Sequence, residues 1–155
     1  MIRKVITVTP DLASFATPYS SGDVMGATNT ITDAATDTKG VVKLDSLVVL
    51  DKANQKAALD IIFFDEAPAA SFGADNAAYA LNDSDLSKVV GRVSVAAADY
   101  VSSSTNNADA TLKNIELTMQ VRAGVKDLYC VVVARGTPTY GSASDLLIKL
   151  ALEQS

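Results

Sequence analysis

Four aspartates stand where a pair of carboxylates could work on a sugar. Asp60 and Asp65 fall in the run Ala57–Glu66, and Asp45 and Asp51 in the run Val41–Leu50 or just past its end. A glycosidase needs two such acids across a bound ring, one protonated and one ionised, with flat apolar groups to hold the sugar. The chain has no tryptophan, its five tyrosines are dispersed, and Asp51 and Asp65 sit at run ends, where acids ordinarily mark solvated turns. Structural acids are therefore expected here.

Nucleophile chemistry has less to build on. There is no histidine, which removes Ser-His-Asp and Cys-His schemes and the commonest zinc ligand. The one cysteine, Cys130, lies inside the apolar run Leu128–Ala134 and reads as a small core hydrophobe. The patterns GxGxxG, GxxxxGK[ST] and GxSxG do not occur. The acidic cluster Asn82-Asp83-Ser84-Asp85 lacks the spacing and terminal glutamate of an EF-hand loop and reads as a helix start. No catalytic residue, metal or cofactor is expected.

The elements that must carry these residues are β-strands. At 155 residues and 48% hydrophobic content the chain can bury a core as one domain. Net charge is −5 with Lys and Arg scattered, Arg3-Lys4 being the only adjacent basic pair, so neither a nucleic-acid footprint nor a polybasic membrane patch is present. No apolar run approaches the ~20 residues of a membrane span. The start, MIRKVITVTPDL, reads as a strand and not as a signal peptide.

The central stretch, Gly40–Pro68, holds two Val-, Ile- and Phe-rich runs around the polar tip Lys52–Lys56 and reads as a β-hairpin. Near the tip both faces of each run are apolar, which predicts cover on both sides by a second sheet or a partner subunit. Ile2–Thr9 alternates as a strand ended by Pro10, and Asp11–Gly22 reads as an extended arm crossing a domain edge. Asp23–Thr32 is a weak strand broken near Gly26, Asn82–Val90 a short helix stopped by Gly91, and Val93–Tyr100 a strand. Ser102–Asp109 reads as an exposed loop, Leu112–Val121 as an alternating strand, Asp127–Arg135 as a buried one, and Asp145–Glu153 as a last strand with Lys149 and Glu153 outward. The fold class is all-β: an antiparallel, jelly-roll-like β-sandwich of about eight strands with one short helix. Residues 1–22 form an N-terminal strand and arm, and 23–155 a single sandwich domain.

Taken in order, YSSGDVMG at Tyr19–Gly26, GVVKLDSLVVLDKANQKAALDIIFFDEAP at Gly40–Pro68, DNAAYALNDSDLSKVVGRV at Asp75–Val93 and DLYCVVVARGTPTYGSASDLLIKLALEQ at Asp127–Gln154 resemble a family of small virion structural proteins of tailed bacteriophages. The likeness covers most of the chain after about Pro18 and rests on strand and turn residues. It implies a non-enzymatic capsid decoration (cement) protein on the virion surface, made in the host bacterial cytoplasm. Its implied partners are the major capsid protein and further copies of itself, as a trimer in preference to a dimer, with no nucleic acid or membrane. The alternative is a tail or fibre β-sandwich that binds a host glycan, with Tyr79 and Tyr140 as its ring surfaces. Interface candidates are Arg3, Lys4, Tyr19 and Tyr140.

Overall fold

The computed structural model describes residues 2–155. Two antiparallel sheets face each other across one main core. The first joins β1 (Ile2–Val8), β10 (Leu146–Gln154), β3 (Val41–Asp51), β7 (Asn107–Leu112) and β6 (Tyr100–Ser104) in that order, with β8 (Leu117–Gln120) also on β3. The second runs β2 (Asn29–Ile31), β9 (Leu128–Ala134), β4 (Leu59–Phe64), β5 (Val89–Val95).

The order has a simple origin. If β6, β7 and β8 share the place of a sixth strand, the sheets read 1-8-3-6 and 2-7-4-5, which is jelly-roll order. The pairs β4·β5, β3·β7/β8, β2·β9 and β1·β10 nest one inside the next, like a long two-stranded ribbon. Wrapping the ribbon adds β3·β10 and β4·β9. Consecutive strands on one arm of such a ribbon alternate between sheets. For that reason β3 and β4 are not a hairpin, contrary to the sequence reading: they lie in opposite sheets, and Lys52–Lys56 belongs to the connection that crosses between them. Asp51 fixes that turn by accepting the N–H groups of Ala53 (2.9 Å) and Lys56 (2.8 Å).

The two-sided apolar character of β4 is real, and its cover is internal. Leu59, Ile61 and Phe63 point into the main core, while Ile62 and Phe64 join Val24, Phe72, Val131 and Val133 in a second cluster on the outer face. The chain's own 69–81 segment, through Phe72, Tyr79 and Leu81, closes that face, so no subunit is needed there. On β3 the period of two breaks at a bulge between the pairs Ser46·Ala151 and Leu44·Leu152. Val42 and Leu44 point inward before it, Leu47 and Val49 after it, and Val48 and Leu50 are left half-buried outside.

Three further elements differ from expectation. The helix α1 spans only Asp83–Leu86; Val89 and Gly91 already belong to β5, where a Cβ on Gly91 would meet Leu117 Cδ2 at 2.7 Å. Ser102–Asp109 is mostly a hairpin, β6–β7, turning at Thr105–Asn106. The strand expected over Leu112–Val121 is interrupted where Asn114 and Glu116 take positive φ, and Ile115 N–H bonds the Asp45 carbonyl at the bulge. Residues 11–22 run beside residues 134–143, with backbone bonds from Leu12 to Ala143, Tyr19 to Pro138 and Gly22 to Ala134. Leu12 and Tyr19 lie in the main core.

Candidate functional site

The four candidate residues separate into two places. Tyr19 and Tyr140 come together inside the core, ring centroids 6.2 Å apart and edge-on at 68°. At 1% and 4% exposure neither ring offers surface to a partner, so as interface residues they are corrected to core residues. Burial pushes both phenols far above their ordinary pKa. The Tyr19 hydroxyl donates to Asp75 Oδ1 (2.8 Å), and the same carboxylate accepts the N–H groups of Gly26 (2.7 Å) and Ser14 (2.6 Å). Asp75 thus ties three separate segments into one corner.

Arg3 and Lys4 stay at the surface, on opposite faces of β1. Arg3 Nη2 reaches Glu153 Oε1 at 2.9 Å, and Lys4 Nζ donates to the Asp33 carbonyl at 3.2 Å. Glu153, expected outward and wet, points outward yet is only 7% exposed, because Arg3 and Lys43 close over it. The hydrogen bond from Lys43 (2.9 Å), with help from Arg3, holds its carboxyl below the usual carboxylate range, and the bonds from Lys43 to Glu153, Asp45 and Glu116 raise the Lys43 ammonium. Lys43 also meets Asp45 and Glu116, each at 3.2 Å. This charged patch covers the outer face where β1, β10 and β3 lie side by side.

Each acid considered for catalysis is already held. Asp60 accepts Ser94 Oγ (2.7 Å), Arg135 Nε (2.7 Å) and Arg92 Nη1 (3.1 Å). Burial alone would raise its pKa, but Ser94 and the two guanidinium groups outweigh that and lower it. A general acid needs the opposite shift. Asp65 pairs with Arg122 (3.3 Å), and Asp45 with Lys43. In the acidic cluster Asp85 is buried against Lys88 (2.7 Å) and accepts the Ala69 N–H. The Asn82 side chain donates to Ser71 Oγ (2.7 Å) and makes no helix-cap bond. Among the described residues no group of three or more His, Cys, Asp or Glu is arranged to hold a metal ion.

One concavity, about 480 Å³, is an open apolar groove between Ala13, Ala27, Pro68 and Phe72, with Asp11 and Asp75 at its wall. Of its two aspartates, Asp75 is the clip just described.

Two residues escaped the sequence reading. Ile2 and Val5 are 56% and 66% exposed on β1, the outermost strand of its sheet. Alternation alone assigns them to strand faces and cannot say that the strand is an edge. The available signal was Arg3-Lys4 inside the run, since lysine and other charges are how proteins blunt an open edge. No family model matches the chain, and no curated protein matches it.

Proposed function

We propose that this chain is a non-enzymatic virion structural protein, a decoration or cement protein that binds the outside of a tailed-phage capsid and stabilises the head. One observation carries the reading: each acid that could serve catalysis is clamped by a cation or backbone donor of its own chain, within a ten-strand jelly roll. That is a scaffold stiffened from within. The segments that carry the phage resemblance fall on β3, β4, β9, β10 and the Asp75 corner, the parts that build the scaffold. Such a module works by binding several capsid subunits at once, each contact modest and the sum multivalent. Its partners are the major capsid protein and other copies of itself; it acts on the virion surface after synthesis in the bacterial cytoplasm.

The glycan-binding alternative loses support, because Tyr140 is buried and Tyr79 packs on Phe72 at 6.2 Å in the second cluster. The test is to prepare heads lacking this protein and add it back. Bound protein should raise the temperature at which heads release DNA, by mass action on the intact state. Heads that fail to take it up, with the protein found instead at the tail tip, would overturn the assignment.

A further inference from the structure

Strand β1 is hydrogen-bonded on one side only. Residues 2–8 pair with β10 and, among the described residues, make no other backbone hydrogen bond. The other sheet edges are less open. β2 is three residues long and β8 four, β6 is five long and polar apart from Tyr100 and the exposed Val101, and β5 lies under the Leu117 side chain at Gly91. β1 alone combines seven residues, a free edge and exposed apolar side chains.

We infer that β1 pairs with β1 of a second copy of this chain, antiparallel about a two-fold axis perpendicular to the sheet at Val5. The residues themselves select that register. Opposite residues in an antiparallel pair share a face, so such an axis must pass through a residue and not between two. At Val5 the two exposed valines face each other, Ile2 meets the partner's Val8, Arg3 meets Thr7 and Lys4 meets Ile6. Both exposed apolar residues gain an apolar neighbour and no two cations stand opposite. An axis at Lys4 would oppose two ammonium groups, which is destabilising. An axis at Ile6 would set Ile2 against Pro10, beyond the strand end and without an N–H to donate. Arg3 is compensated by Glu153 at 2.9 Å, and Lys4, turned to the Asp33 carbonyl, stands opposite Ile6 and not opposite another cation. On the outer face Ala151 pairs with Val5 in each copy, so an apolar row of four residues crosses the axis. The two six-stranded sheets become one continuous sheet.

The pairing is independent of head binding and is tested on the isolated protein. Residues opposite each other on antiparallel strands have Cα atoms about 4.5–5.5 Å apart, within disulfide reach. Val5→Cys should therefore give a covalent dimer on mild oxidation. Thr7→Cys should not, since the two Thr7 positions would lie roughly 14 Å apart along the strands. Sedimentation of the unmodified protein from about 1 to 500 μM covers a contact smaller than a standard interface and should show dimer at the upper end. Val5→Lys should weaken that dimer at least tenfold with the melting temperature of the protomer unchanged, because the Val5 side chain is mostly in solvent. A monomer at every concentration would overturn the proposal. So would an oligomer that Val5→Lys leaves intact, or one cross-linked through Thr7→Cys and not Val5→Cys.

Discussion

Asp60 shows how a side chain that could do chemistry becomes structural. Its pKa lies below the ordinary 3.8 because Ser94, Arg135 and Arg92 outweigh the effect of burial. The folded state therefore holds its proton more weakly than the unfolded chain does. The resulting stabilisation is complete above the ordinary pKa and disappears as pH falls through the lower folded value. Asp60→Asn should cost about 1–3 kcal/mol at pH 7. It should also flatten the acid-side fall in melting temperature expected of the parent protein below about pH 4. Equal slopes for both proteins would mean that Asp60 is not a carboxylate that matters to folding. Cys130 gives a second check. Burial pushes its thiol up to about 12, so a thiol reagent at pH 8 should label it only as fast as the whole sandwich opens. At this scale the sequence was informative about what is missing and poor about what is buried. An acid in a strand looks the same whether solvent or three donors face it. The donors of Asp60 come from residues 92, 94 and 135, far away along the chain.

Strands were legible where alternation was uninterrupted, as in β1 and β10, or where an apolar run was continuous, as in β9. Pairing was not. A five-residue polar tip suits a hairpin and a sheet-to-sheet crossing equally, and Lys52–Lys56 has no Asn-Gly or Asp-Gly to force the former. The β6–β7 hairpin was hidden by composition, because both its strands are rich in Ser, Asn, Asp and Ala and most of its residues are exposed. Gly91 read as a helix stop although it is kept small by Leu117 crossing over β5. β4 carries the heaviest packing load, with all six residues buried. Phe63→Ala, in the main core, should cost about 3–5 kcal/mol in denaturant unfolding. Phe72→Ala should act differently, since Phe72 belongs to the flap over the outer face. The sandwich should persist while amides of residues 69–81 exchange hydrogen faster. If both substitutions lowered global stability equally with no local exchange, the flap would be part of the main cooperative unit.

For the molecule as a whole, the all-β class came from strand spacing and turn signals, and the jelly-roll order came only with the pairing. Circular dichroism should be β-dominated, with helix well under the globular average of about a third. Folding should be slow for the size, because β1 pairs with β10 and β2 with β9 across almost the whole chain. Two-state β-sandwiches of such non-local topology refold in milliseconds to seconds, and microsecond refolding in stopped-flow or temperature-jump experiments would contradict the nested pairing. That nesting also sets an order of events on the ribosome. The innermost pair, β4·β5, is available once about two thirds of the chain is made, whereas β1 waits for Leu146–Gln154. At about 5–20 residues per second the wait is on the order of ten seconds. Throughout it, Ile2–Val8 lacks both its β10 partner and Glu153, so Arg3 and Lys4 stand on it as uncompensated charges of the kind that disfavour pairing with a neighbouring chain.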